Sequence, residues 1–177
     1  MPVSFKRGKK LTNKKKDYFS YVGRYDIETK GIDLLINAYQ LVPEKIRIPI
    51  IMHGTKGKDT DIEDVKRLIK EKNMQEYFII NGPIYGKKKE NFLNSSLMSL
   101  QLSRWDAFPL SIWESISLNV PCLVSNRNAS SEIIKKNNFG IVTDLKITSI
   151  KNNLVRILLN KRKFKKYIKN KNYIDKN

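Results

Sequence analysis

Two carboxylates, Asp106 and Glu114, stand eight residues apart on either side of a proline-containing turn. An apolar run over 97–102 precedes them and an apolar-periodic segment over 110–118 follows, which predicts a strand, a loop and a helix start. In open α/β sheets, ligands bind where a strand ends and the next helix begins. Helix amides and the helix dipole favour an anion there, and carboxylates beside it can accept hydrogen bonds from sugar hydroxyls. We therefore take the segment 103–114 as the candidate binding site.

Both acidic residues also have a structural interpretation. Asp106 can cap the following helix. Glu114, one turn inside that helix, can be a solvated residue, although the flanking Trp113 and Ile116 indicate partial shielding. A shielded carboxylate needs a hydroxyl or a cation as a partner.

Two cations follow the first predicted strand. Arg24 comes directly after Gly23, and Lys30 precedes Gly31 at the start of the next predicted helix. Arginine binds phosphate with a planar fork and lysine as a point charge. In a basic chain, however, two such residues can also be ordinary surface cations.

Apolar periodicity predicts six strands that alternate with helices. The strands cover 18–22, 48–52, 77–80, 97–102, 120–125 and 140–143, and the helices cover 32–42, 59–72, 87–95, 110–118, 130–137, 148–159 and 161–171. Strands that alternate with helices of this length predict one doubly wound, Rossmann-like parallel sheet, with helices on both faces.

The net charge of +18 lies mostly at the two ends of the 177-residue chain. Residues 1–17 carry +6 and residues 161–177 carry +7, which leaves +5 for residues 18–160. We therefore predict a basic linker or arm over 1–17, a folded domain over 18–160 and a basic helix or tail over 161–177. The basic ends can reflect biased composition, attraction to an anionic membrane surface, or RNA binding. Nucleic acid is the least favoured of the three, because the aromatic residues form no RNA-recognition pattern.

Several classes of protein are not supported by the sequence. No apolar run approaches the roughly 18 residues that a transmembrane helix needs, and the basic amino end lacks the apolar segment of a signal peptide. The single cysteine, Cys122, lies in an apolar run and is predicted to be a core residue in a reducing compartment. His53 is the only histidine, so no zinc site is expected. It is expected to be structural or to contact the rim of a ligand crevice.

Four collinear segments over residues 18–160 resemble the C-terminal, donor-binding half of the GT-B fold retaining glycosyltransferases of group 1, also called family 4. They are Tyr21-Val22-Gly23-Arg24 with 30–38 (KGIDLLINA), the strand ends Met52-His53-Gly54 and Ile80-Asn81-Gly82, the segment 103–115 (SRWDAFPLSIWES), and 119–125 (NVPCLVS) with Ser131-Glu132-Ile133-Ile134 and Gly140-Ile141-Val142. The order of the four segments makes the resemblance specific.

The resemblance implies a hexosyltransferase type of enzyme that uses a nucleotide sugar, such as a UDP- or GDP-sugar, without an obligatory metal. It implies catalytic roles for Arg24, Lys30 and Asp106, nucleotide binding by Gly23, Arg24, Lys30, Leu110, Ser111 and Glu114, and donor-sugar contacts from Asp106, Ala107 and Phe108. In these roles the two cations bind the diphosphate, and Glu114 accepts the ribose hydroxyls.

Three residues depart from the family pattern. Asp106 stands where the family usually has glutamate, and Ala107 and Asn119 stand where it usually has glycine. Asparagine tolerates a left-handed turn. The departures leave open an alternative function, that of a non-catalytic nucleotide-sugar-binding or partner-docking module.

The family has two domains, and its N-terminal domain supplies the acceptor site. We therefore expect this chain to need such a domain in cis or in trans. The resemblance implies synthesis of a cell-surface polysaccharide or glycolipid. We expect a cytoplasmic location, with peripheral contact at the inner face of the membrane as a further expectation.

Overall fold

The computed structural model describes residues 17–164, and these residues form a six-stranded parallel sheet covered by helices. The strands are β1 (Phe19–Val22), β2 (Ile50–His53), β3 (Phe78–Asn81), β4 (Met98–Gln101), β5 (Cys122–Ser125) and β6 (Gly140–Thr143). The helices are α1 (Ile27–Lys30), α2 (Ile32–Gln40), α3 (Ile62–Glu71), α4 (Gly86–Ser95), α5 (Leu110–Ser117), α6 (Ser131–Lys136), α7 (Ile147–Leu159) and α8 (Lys161–Phe164). A short 3₁₀ helix covers Glu44–Ile46.

The strand order is β3-β2-β1-β4-β5-β6, and every neighbouring pair is parallel. The predicted doubly wound, Rossmann-like sheet is therefore confirmed. The chain runs outward from β1 to β3 and then returns to place β4 on the other side of β1. The carboxyl ends of β1 and β4 are therefore the switch point of the sheet, where doubly wound folds bind ligands.

Apolar side chains on both faces of the sheet hold the helices. The main core packs β1, β2 and β4 against α2, α3 and α7, and a second cluster packs β5 against α5 and α6. Along β5, Leu123 belongs to the first cluster while Cys122 and Val124 belong to the second. This alternation is what a strand buried on both faces requires. Cys122 is fully buried, as predicted, and burial raises the pKa of its thiol.

The observed elements differ from the predicted ones in detail. Most element ends are displaced by one or two residues, and α1 is an additional helix that periodicity did not predict. Asp26 caps α1 by accepting a hydrogen bond from the Thr29 amide (3.2 Å). Lys30 therefore ends one helix rather than opening the next. Asn119 adopts the left-handed conformation, with a φ of 58°, that asparagine tolerates.

The two basic ends lie almost entirely outside the described residues. Of the predicted arm over 1–17 only Asp17 is described, and of the predicted helix over 161–171 only α8 is described. The domain boundaries therefore remain predictions. Between residues 17 and 164, no helix has the length and apolarity needed to cross a membrane.

Candidate functional site

An ion pair spans the switch point of the sheet. The Lys30 ammonium, at the end of α1, lies 2.7 Å from Oδ2 of Asp106, in the loop after β4. The side chains are only 12% and 9% exposed. Two charges removed from water to this extent need close partners. The structure therefore brings together one cation and one carboxylate that the sequence marked as candidates.

Gly31 allows Lys30 to reach this position. It adopts a left-handed conformation with a φ of 63°, and it both ends α1 and begins α2. A Cβ atom at this residue would lie only 2.1 Å from the carbonyl oxygen of Leu102. The turn after Lys30 is therefore in contact with the backbone at the end of β4, and only glycine permits both the conformation and the contact.

Arg104 holds the same turn from the side of β4. Its guanidinium donates to both carboxylate oxygens of Asp33, at 2.8 and 2.6 Å, and to the Glu28 carbonyl at 2.6 Å. Its backbone amide donates to the Thr29 carbonyl (2.9 Å). The hydrogen bonds to Asp33 raise the pKa of Arg104. This forked contact fixes α1 and α2 against the loop that carries Asp106.

Asp106 is surrounded by donors. Its Oδ2 atom accepts from Gln101 Nε2 (3.1 Å) and Ser103 Oγ (3.3 Å) as well as from Lys30. Its backbone forms a parallel bridge with Asn128, in the loop after β5. The interpretation of Asp106 as a helix cap is wrong, because the N-cap residue of α5 is Pro109 and no side chain caps the helix. Asp106 is instead the carboxylate that receives Lys30.

Glu114 lies in the middle of α5 and pairs with a different cation. Nζ of Lys89, on α4, lies 2.6 Å from Oε2 of Glu114, and the two side chains are 21% and 36% exposed. Oε2 itself is buried and receives no directed hydrogen bond. The contact is therefore a charge contact between two helices rather than a well-aligned hydrogen bond.

The amino end of α5 leaves backbone amides available. Leu110 and Ser111 are its first two residues, and no side chain caps the helix. Leu110 and Phe108 are exposed, and the Phe108 ring stacks on Trp113 at a centroid distance of 6.5 Å. Ala107 has no positive φ, so the loop conformation here does not require the glycine usual in the family.

Arg24 and Gly23 lie at the end of β1. The Arg24 side chain is exposed, and within residues 17–164 no carboxylate forms an ion pair with it. Its carbonyl accepts a hydrogen bond from the hydroxyl of Tyr21 (2.7 Å). Burial raises the pKa of that tyrosine well above its ordinary value. The Gly23 amide donates to the His53 carbonyl (3.1 Å).

His53 has structural contacts at the same edge of the sheet. Its Nδ1 lies 2.9 Å from the Gly82 carbonyl, and its ring meets the edge of Phe92 at 4.7 Å. A carbonyl can only accept, so Nδ1 carries the proton in this contact. Within the described part of the chain no cluster of His, Cys, Asp or Glu could hold a metal ion; the expectation about metals remains a prediction.

A family profile, described as glycosyl transferases group 1, matches residues 3–173. The chain belongs to this family. The match covers nearly the whole chain, including all four segments that resemble the family. No curated protein sequence is close enough to this chain to match it.

Several solved structures share the fold of this glycosyltransferase-family chain. They include WaaG, a glycosyltransferase involved in lipopolysaccharide biosynthesis, at 16% identity and a TM-score of 0.74, with 85% of this chain and 40% of that chain covered. A mutant of S. aureus TarM in complex with fondaparinux, alpha-GlcNAc-glycerol and UDP has 19% identity and a TM-score of 0.74, with coverages of 97% and 36%. Anabaena HepE in complex with UDP and glucose has 14% identity and a TM-score of 0.72, with coverages of 84% and 40%. The chain thus spans well under half the length of these three proteins.

Three residues that build the site were not predicted from the sequence. Arg104 and Asp33 are 71 residues apart, and Lys89 is the third of three consecutive lysines. The only available signal was the position of each near a strand end or in the first turns of a helix. Such positions can be recognised locally, but the partners that they meet cannot.

Proposed function

We propose that this chain is the donor-binding domain of a retaining hexosyltransferase that uses a nucleotide sugar such as a UDP- or GDP-sugar. The observation that carries the proposal is the Lys30–Asp106 ion pair at the switch point, in the loop that leads to the uncapped end of α5. A cation, free helix amides and a carboxylate suit a ligand with both a diphosphate and hydroxyl groups. The UDP in the TarM and HepE structures supports UDP as the first ligand to test.

The cations act on the diphosphate. Lys30 uses one of its three protons on Asp106, so two remain to donate to phosphate oxygens. Arg24, which follows β1, contributes an exposed guanidinium. As the bond between the sugar and the phosphate breaks, both cations stabilise the negative charge that develops on the leaving nucleotide. The amides of Leu110 and Ser111 complete the phosphate contacts. Gly23, whose own amide donates to the His53 carbonyl, contributes by its lack of a side chain, which lets the diphosphate approach the backbone closely.

The carboxylates act on hydroxyl groups. Glu114 accepts hydrogen bonds from the ribose, and Asp106 accepts from the transferred sugar, with Ala107 and Phe108 forming the wall beside it. Because Oδ2 of Asp106 already has three donors, the sugar contact falls to Oδ1. The proposal assigns no metal to the reaction, since the family resemblance implies none.

Calorimetry on the 177-residue chain tests the proposal. UDP, GDP, UDP-glucose and GDP-mannose are titrated into the protein and into its Lys30→Met variant. We expect at least one ligand to bind, and Lys30→Met to weaken that binding about tenfold because a charge-assisted phosphate contact is lost. Lys45→Met, which removes an exposed charge from the 3₁₀ helix before the amino end of β2, is the matched control and should have no effect. Failure to bind any of the four ligands would reject the proposal.

The acceptor side belongs to a second domain in this proposal, present in cis or in trans. The chain covers only 40% of the length of WaaG, which fits a donor-binding part of a larger enzyme. The acceptor would be a cell-surface polysaccharide or a glycolipid. We expect negligible sugar transfer by the 177-residue chain alone. Transfer should appear when an acceptor-binding domain is supplied, as measured by the release of nucleoside diphosphate.

A non-catalytic nucleotide-sugar-binding module is the second candidate. The three donors that engage Asp106 favour it, because they tie the carboxylate to the protein rather than to a sugar. This candidate predicts that the chain binds the nucleotide sugar but stays inactive with every acceptor domain. The Asp106→Glu variant would separate the two: transfer that is equal or better with glutamate supports an enzyme.

We propose a cytoplasmic location with peripheral contact at an anionic membrane surface, through the basic ends of the chain. Sedimentation with phosphatidylglycerol vesicles tests this contact. Binding should weaken strongly between about 50 and 500 mM salt, because salt screens the attraction between a basic segment and an anionic surface. RNA retention that exceeds vesicle binding would favour the nucleic-acid interpretation instead.

A further inference from the structure

Three consecutive lysines begin α4, and only one of them turns towards the candidate site. Lys87 pairs with Glu90 on its own helix, and Lys88 is exposed. Lys89 instead crosses to α5 and lies 2.6 Å from Glu114 Oε2. The 21% exposure of Lys89, against 57% for Lys87, shows how far its side chain is packed between the helices.

Oε2 of Glu114, the oxygen that faces Lys89, is covered, while part of the side chain stays accessible. Oε2 is buried, yet the side chain keeps 36% of its surface exposed. The exposed part is therefore not the oxygen that faces Lys89. The orientation of this carboxylate is therefore constrained by a cation on the neighbouring helix, while part of the side chain stays open to a ligand.

We infer that Lys89 is a positioning residue that holds Glu114 by Oε2, so that Oε1 is presented to the ribose hydroxyls of the donor. The inference rests on the proposed function and deepens it, because it explains how discrimination for ribose would arise. A carboxylate fixed in one rotamer loses less side-chain entropy when it accepts a hydroxyl. Lys89 also offsets the cost of keeping the Glu114 charge partly out of water.

Two other roles for Lys89 give different predictions. If Lys89 instead occupied the place of the ribose, binding would require the ion pair to break, and removing the lysine would strengthen binding. If Lys89 only added positive charge to the crevice, its removal would weaken the binding of every anion alike. Both alternatives are therefore separable from positioning by measurement.

Calorimetry with UDP, 2′-deoxy-UDP, 3′-deoxy-UDP and inorganic pyrophosphate tests the inference on the 177-residue chain. GDP and its deoxy analogues replace the uridine set if GDP is the nucleotide that binds. We expect Lys89→Met to weaken UDP binding about three- to tenfold and to reduce the preference for UDP over the deoxy analogues. Pyrophosphate affinity should not change, and Lys89→Arg should restore part of the preference.

The matched control is Lys88→Met, which removes a charge of the same sign from the residue before Lys89. It should leave all four affinities unchanged. Melting temperatures of the variants check that each is folded. Lys89→Met should add no further loss to Glu114→Gln, since both act on the same contact. Stronger or unchanged UDP binding by Lys89→Met would overturn the inference, and so would an equal loss for pyrophosphate. Absence of nucleotide binding by the unmodified chain would reject the proposed function, and this inference with it.

Discussion

Replacing Gly31 by alanine should destabilise the fold far more than the same change at Gly86. Both glycines have a positive φ, 63° and 54°. An alanine in the left-handed region costs about 1–2 kcal/mol at either position. A Cβ at Gly86 meets nothing within 4 Å, whereas at Gly31 it lies 2.1 Å from the Leu102 carbonyl oxygen. Backbone atoms must therefore separate by about 1 Å at Gly31, an overpacking that costs a further 1–3 kcal/mol or so.

Urea unfolding, followed by circular dichroism, measures the difference between the two variants. Gly31→Ala should lose about 2–5 kcal/mol of unfolding free energy and Gly86→Ala about 1–2. The stiffening of the unfolded chain by alanine applies to both variants and cancels in the comparison. Gly31→Ala should also weaken pyrophosphate binding, because the backbone shift moves Lys30. Equal losses of stability in the two variants would refute the close approach of this turn to β4.

Three further perturbations test the contacts of Arg104, the Lys30–Asp106 ion pair and the buried Tyr39. Arg104→Met should cost about 1 kcal/mol of stability and weaken pyrophosphate binding, while Arg104→Lys should recover little because lysine cannot form the fork with Asp33. Lys30→Met and Asp106→Asn should each destabilise by about 2 kcal/mol, and the double variant by less than the sum, as measured in a double-mutant cycle. Burial raises the pKa of Tyr39 to about 12, so this tyrosine alone should contribute a loss of up to about 3 kcal/mol of stability as the pH rises from about 10 through 12. Tyr39→Phe should be less stable at pH 7, since its hydrogen bonds with Ile48 are lost, but its stability should fall less over that alkaline range.

The sheet could be predicted because its signals are local. Buried parallel strands are short apolar runs, and each of the six predicted runs overlaps an observed strand. Helix ends were less predictable, because they depend on capping residues rather than on apolar periodicity. The short helix α1 depends on the Asp26 side chain and on the left-handed Gly31, and one turn of helix is too short to show a period.

The partners at the site could not be predicted, because they depend on the order of the strands. Lys30 and Asp106 are 76 residues apart, and they meet only because β4 lies beside β1. The same neighbourhood brings Arg104 to Asp33. A local pattern identifies a cation or a carboxylate at a strand end, but the order in which strands pair is set by the packing of the whole sheet.

The order of the strands and helices also explains why Asp106 and Glu114, only eight residues apart, have different environments. Asp106 lies in the loop after β4 and receives a lysine from the end of α1, together with donors from its own strand end. Glu114, about one turn inside α5, faces α4 and receives Lys89. The first carboxylate is nearly enclosed by protein donors, whereas the second keeps part of its surface open. For the proposed function, we therefore expect Glu114 to be the better placed of the two to accept ligand hydroxyls, and Asp106 to act mainly by fixing Lys30, the lysine proposed to bind the phosphate.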